Sequence, residues 1–264
     1  MNIVLRELKA NLKSLIIWSV VMIMLILVGA AKFAAYYNNQ ASLQILSALP
    51  QALKDAMSLT SFDLTTLAGF YGIMMVYFGL LGGIAAAMWG SDMISKEERD
   101  KTVEFSLVLP VSRSRVITGK ALAVLVDCIV FVLITWLFSI VAVQNYNPDQ
   151  GFYHFLGLEM VAMFVIELIF LALGLLLGCA MKQYKRSSSL AIGIILLTYF
   201  LSIISSMQAN LDFLKYFTPL KYFEAIPKLN LVRLDLPYLL LSAGIIVVCL
   251  VGAYWFYNKR DLYI

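Results

Sequence analysis

The sequence predicts an all-α membrane protein with six transmembrane helices, and three observations carry that prediction. The 264 residues are 62% hydrophobic and only 14% charged, with a mean hydropathy of +0.87. Soluble domains carry about 25% charged residues, so this composition leaves no polar face to show to water. Six apolar runs reach the roughly 20 residues that a bilayer helix needs, and the stretches between them, at most about 30 residues, are too short to fold separately. The expected organisation is one transmembrane domain over residues 1–264.

Each element follows from local pattern. Leu5, Leu8 and Leu12 recur at helical spacing while Arg6, Lys9 and Lys13 reach toward headgroups, which predicts an amphipathic elbow helix over residues 1–13. The first span follows at 14–36, with Lys32 near its end and able to snorkel. Its apolar run is longer than a signal-peptide core, lacks a small-x-small cleavage site and precedes five more spans, so it is expected to be retained. A polar loop at 38–64, compatible with a helix at 43–57, leads to a second span within 64–91. The third span is expected at 116–143. Asn147-Pro148-Asp149 then marks a turn before the fourth span at 155–181. The fifth is expected at 189–208 and the sixth at 236–257, with Pro237 in its first turn.

Charge orients these spans. With both ends inside, the cytoplasmic segments hold Arg6, Lys9, Lys13, Lys96, Arg99, Lys101, Arg113, Arg115, Lys120, Lys182, Lys185, Arg186, Lys259 and Arg260, which are 14 of the 20 basic residues. A connector at 209–235 dissents, because Lys215, Lys221, Lys228 and Arg233 fall on the outer side. Its aromatics (Phe213, Tyr216, Phe217, Tyr222 and Phe223) and its prolines, Pro219 and Pro227, fit two short extracellular re-entrant or interfacial helices. An ordinary aromatic belt around a loop is the alternative.

Several chemistries find no support. The chain has no GxxxxGK[ST] phosphate loop, no HExxH and no GxSxG elbow, so neither ATP binding nor catalysis by this chain is expected. Its one histidine, His154, falls in a predicted loop. Cys128, Cys179 and Cys249 all lie in apolar runs without a CxxC, which favours reduced, core-like thiols over metal or disulfide chemistry. The net charge of +4 is concentrated in short inter-span segments, and aromatics are not interleaved with it, so no nucleic-acid partner is expected.

Three groups of residues remain as candidates. Asp127 and Glu167 interrupt apolar runs and approach the midplane from opposite sides. Charge in hydrocarbon costs several kcal/mol, so such carboxyls either share a transport pathway or pin helices together by hydrogen bonds. Asp92 and Glu159 lie nearer the expected interfaces, where solvation would satisfy them. Gly79 with Gly83, and Gly174 with Gly178, form GxxxG pairs that allow close helix packing, within the bundle or between subunits. Finally, Lys96, Glu97, Glu98, Arg99, Asp100, Lys101, Thr102 and Glu104 mix charges ahead of an apolar patch from Phe105 to Leu109. A short helix of that make-up suits docking to a soluble partner, with charge setting registry and apolar residues supplying burial. A solvated loop is the alternative.

The order of these features resembles the permease subunit of ABC type 2 exporters. The opening VLRELKANLKSLIIWS is similar to the family's elbow helix. The loop EERDKTVEFSLVLPVSRSRVITGK is similar to its acidic, Thr-x-Glu, Pro-Val-Ser-Arg and Gly-Lys pattern, through Glu97, Glu98, Thr102, Glu104, Pro110, Val111, Ser112, Arg113, Gly119 and Lys120. Lys101 departs from it, standing where the family usually has glycine. The connector YFTPLKYFEAI and the ending YNKRDLYI are also similar. The resemblance implies that the region 95–109 is a coupling helix seated in an ATPase subunit. It also implies two permeases, identical or homologous, working with two ATPases that bind the ATP and Mg. Amphipathic or hydrophobic cargo, such as peptides, peptide antibiotics or lipid-like molecules, suits the apolar, weakly charged spans. A proton- or ion-coupled secondary transporter using Asp127 and Glu167, and a membrane scaffold or immunity factor, are the alternatives; against the former, the spans show no inverted repeat.

Overall fold

The computed structural model describes residues 3–37, 48, 50, 64–99, 112–181, 184–207, 209–223 and 234–259. Helices α1 (Ile3–Tyr36), α2 (Leu67–Arg99), α3 (Arg113–Val143), α4 (Gln150–Ala180), α5 (Tyr184–Met207) and α6 (Leu236–Lys259) follow one another, and no strand occurs among the described residues. All six are long and apolar enough to cross a membrane. Ile3 lies against Gly119 near the start of α3 and Asn258 against Ser114, so the N-terminus of α1 and the C-terminus of α6 share one face, here called the terminal face. The chain is a multi-pass membrane protein.

Helix boundaries follow from caps. Ser112 accepts a hydrogen bond from the Arg115 N–H and starts α3. Asn147 turns the chain in the left-handed region at φ 47°, and Asp149 then caps α4 through the Phe152 N–H. That cap starts α4 at Gln150, ahead of the expected 155. Likewise α1 runs unbroken from Ile3 to Tyr36, so the expected elbow and first span are one helix. Its 34 residues span about 50 Å at helical rise, against a hydrocarbon core of about 30 Å.

The centre of the bundle is the α2–α4 contact, which glycines make close. A Cβ on Gly174 would stand 2.3 Å from the Ala87 carbonyl oxygen, one on Gly178 2.9 Å from that of Ser91, and one on Gly90 2.5 Å from that of Leu171. Gly83 receives the Phe170 ring, and Gly79 faces Ile166. Both GxxxG pairs are thus occupied inside the bundle, where small residues let dispersion and weak polar contacts act in place of a hydrophobic driving force. Helix α2 touches α1, α3, α4 and α5, while α6 packs mainly on α4.

Lipid-facing residues complete the picture. In α1 the buried positions are Glu7, Leu15, Ser19, Met22, Ile26, Gly29 and Phe33, a single stripe whose spacing from Leu15 onward alternates between four and three residues. Leu5 and Leu12 of the expected amphipathic stretch are exposed. The inward face of the first turns is mixed, with Glu7 buried among Val4 and Leu8, which pack against the core. In lipid an apolar side chain needs no burial, whereas a carboxylate does.

The described part of the connector forms two 3₁₀ segments, Ala209–Phe217 and Pro219–Lys221, rather than α-helices. Phe213, Tyr216 and Phe217 are exposed, and Leu220, Tyr222 and Phe223 are buried. Tyr222 donates to the Tyr216 carbonyl at 2.5 Å and stacks on Tyr238 of α6 at 5.4 Å between ring centres. Burial, with Tyr238 beside it, pushes the Tyr222 phenol up to about 12, so it remains a neutral donor at working pH.

Candidate functional site

Polar residues gather where three helix ends meet at the terminal face: the start of α1, the end of α2 and the start of α3. Glu7, 1% exposed, forms ion pairs with Lys96 of α2 and with Arg6, the latter at 3.0 Å. Lys120 of α3 is fully buried and interacts electrostatically with Glu7, while its Nζ donates to the Met93 carbonyl oxygen at 2.7 Å. That carbonyl lies in the C-terminal half of α2, where a cation also complements the helix dipole. One turn beyond Glu7, the Asn11 amide donates to Asp127 Oδ2 at 2.6 Å, and Lys96 adds electrostatic attraction toward Asp127.

The next layer continues the same three-helix contact. Trp89 Nε1 donates to Ser14 Oγ at 2.9 Å and its ring meets Phe131 edge-on at 5.7 Å. Beside it, Ser188 of α5 donates to Asp92 Oδ1 at 2.9 Å and lies 2.7 Å from Ser91 Oγ. Asp92 is therefore half-buried and hydrogen-bonded rather than simply solvated. On the outer edge, Thr118 and Tyr254 share a hydrogen bond of 2.7 Å, and Arg113 reaches the Asn258 carbonyl at 3.5 Å, tying α3 to α6.

The remaining carboxyls lie deeper. Glu167 is fully buried against Gly82 of α2, whose missing side chain makes room for it: a Cβ there would stand 2.7 Å from Glu167 Oε1. Cys128 of α3 is its polar neighbour. Asp127 and Cys128 are adjacent in sequence yet face different surroundings, one the α1 amide and the other Glu167. Glu159 is 3% exposed, which corrects the expectation that it is solvated. With α4 starting at Gln150, Glu159 falls more than two turns inside the helix. Cys128, Cys179 and Cys249 are free thiols, all buried.

The docking residues read from sequence divide. Lys96 belongs to the buried ion cluster, turned inward to Glu7. The backbone of Glu97, Glu98 and Arg99 completes α2. Asp100, Thr102, Glu104, Phe105 and Leu109 lie outside the described residues, as do Lys182 and Arg260. Sequence reasoning passed over Glu7 and Asn11. Continuing the buried α1 stripe of Leu15, Ser19 and Met22 backward in four-residue steps would have reached both.

The family profile described as ABC-2 family transporter protein matches residues 1–262. No protein of curated function matches the chain.

Proposed function

The chain belongs to the ABC-2 transporter family, as the transmembrane subunit of an ABC transporter that works with an ABC ATPase, and on that premise we propose that it is an exporting permease. Two copies, or one with a homologous partner, act with two ATPase subunits that supply the ATP and Mg chemistry. The cargo is amphipathic or hydrophobic: a peptide, a peptide antibiotic or a lipid-like molecule. The observation that carries this reading is α2. It is one uninterrupted helix of 33 residues, about 50 Å long, touching α1, α3, α4 and α5.

Its C-terminal end leads into the charged segment 95–109, whose sequence suits seating on a soluble partner. A displacement applied there passes into a helix packed against most of the bundle by glycine contacts that do not compress. ATP-driven closure of the ATPases would thereby bias the permease pair between two arrangements, a population shift. The terminal face is cytoplasmic in this scheme, in keeping with its basic residues.

The test is co-purification from membranes. The permease should isolate with an ATPase whose turnover depends on it, and vesicles holding both should move a labelled amphipathic peptide outward on addition of ATP. Isolation without any ATPase, together with ion-driven flux, would favour a secondary transporter instead.

A further inference from the structure

The ion cluster has an arrangement that the docking reading does not require. In sequence, residues 100–111 join the end of α2 to the start of α3. Lys96 lies three residues before the end of α2 and Lys120 about two turns into α3. Lys96 forms an ion pair with Glu7 on a third helix, and Lys120 attracts the same carboxylate electrostatically. Glu7 is 1% exposed and Lys120 fully buried. The end of α2 is therefore tied to α1 by a buried ion pair, and the start of α3 by electrostatic attraction between Lys120 and Glu7, in addition to the apolar packing of Val4 and Leu8 against the core. Asn11 and Asp127 add a second tie between α1 and α3 one turn deeper.

We propose that Glu7 is a positioning residue for ATPase coupling: as shared counter-ion of Lys96 and Lys120, it holds the two helix ends flanking residues 100–111 at a fixed spacing. This inference rests on the ATPase-coupled reading above, and it makes α1 part of the transmission. Glu7 touches neither cargo nor nucleotide. A force applied between α2 and α3 is shared with α1 through Glu7, and a permease lacking the carboxylate would bind its ATPase yet respond to it weakly.

Two readouts on the full-length chain separate the possibilities. In the permease alone, with Cys128, Cys179 and Cys249 replaced by alanine, spin labels at Arg99→Cys and Arg115→Cys report the spacing of the two helix ends. The parent should give one narrow distance, and Glu7→Gln a broadened or shifted one. In reconstituted permease with ATPase, Glu7→Gln should retain co-purification while transport per ATP falls about tenfold, within the usual range of coupling between sites. Lys96→Met, which leaves Glu7 its other partners, should give a smaller change of the same kind and serves if Glu7→Gln fails to fold. The double variant should lose no more than the worse single, because both remove one interaction. An unchanged spacing, or altered spacing with normal coupling, would overturn the proposal. Absence of any ATPase bound to the unmodified permease would instead remove the exporter reading, leaving the spacing measurement to judge Glu7 alone.

Discussion

Gly174 of α4 lies so close to Ala87 of α2 that a Cβ on the glycine would stand 2.3 Å from the Ala87 carbonyl oxygen. The obstacle is backbone, not the tip of a mobile side chain, so the helices would have to separate. Gly174→Ala is expected to destabilise the bundle by about 1–3 kcal/mol, the usual cost of overpacking. At Gly193 of α5 nothing lies within 4 Å of the added methyl. Gly193→Ala should therefore be neutral or stabilising by up to about 1 kcal/mol through helix propensity. Unfolding in mixed detergent micelles would compare the two, and equal effects would show that the close α2–α4 approach is not a stability determinant.

Trp89 offers a second check on how α1, α2 and α3 are held. Its indole N–H reaches Ser14 and its ring meets Phe131. Trp89→Phe keeps most of the apolar bulk and removes the donor. A neutral hydrogen bond contributes about 0.5–1.5 kcal/mol net, so the variant should unfold earlier by roughly that amount. Ser14→Ala should show a similar loss, and in combination the two should be less than additive. Full additivity in the same unfolding assay would mean that the bond contributes nothing.

How much of this was legible beforehand depends on which physical rule governed each element. Six spans could be read because crossing a bilayer demands little more than apolar length. Boundaries were less accessible: Asp149 caps α4 and starts it at Gln150, and Glu159, expected near an interface, is buried within that helix. The first turns of α1 read as a separate amphipathic elbow because Leu5, Leu8 and Leu12 share a face, whereas these turns continue into the first span as one helix. Leu5 and Leu12 are exposed, Leu8 packs partly against the core, and Glu7 is buried. The ion cluster itself joins positions 7, 96 and 120, and no pattern within one sequence reveals pairing over such separations.

Topology can be tested by accessibility. Lys9 and Asn258 are exposed near the terminal face, and Phe213 is exposed in the connector. The native cysteines are all buried, so background labelling should be low. In intact cells, a membrane-impermeant maleimide should modify Phe213→Cys and spare Lys9→Cys and Asn258→Cys, with the pattern reversed in inside-out vesicles. Labelling of Lys9→Cys from outside would invert the proposed orientation and detach the charged segment from any cytoplasmic ATPase.

The docking surface makes a sharper demand. Glu104 and Phe105 combine, in adjacent positions, a charge for registry and an apolar ring for burial. Reversing one and truncating the other should abolish co-purification of the ATPase, because central aromatic anchors commonly carry 2 kcal/mol or more of an interface, about a thirtyfold loss of affinity. Under the docking proposal, Glu104→Lys with Phe105→Ala should leave the permease as stable as its parent, because the contacts it removes would be those with the partner. If association survives intact, docking lies elsewhere.

The deep carboxyls decide whether the bundle moves charge or merely tolerates it. Asp127 is engaged by Asn11, and Glu167 sits with Gly82 and Cys128. Asp127→Asn and Glu167→Gln preserve shape and remove the ability to ionise. A polar pathway through both predicts that each variant lowers transport of a labelled peptide about a hundredfold while folding is retained, the low end of the range typical of a lost general acid or base. If the carboxyls serve only to pin helices, Glu167→Gln should transport normally, and Asp127→Asn should act through stability, weakening the bond to Asn11 by about 1–2 kcal/mol. Measuring transport and unfolding on the same preparations separates these outcomes, because only the pathway reading lowers transport without lowering stability.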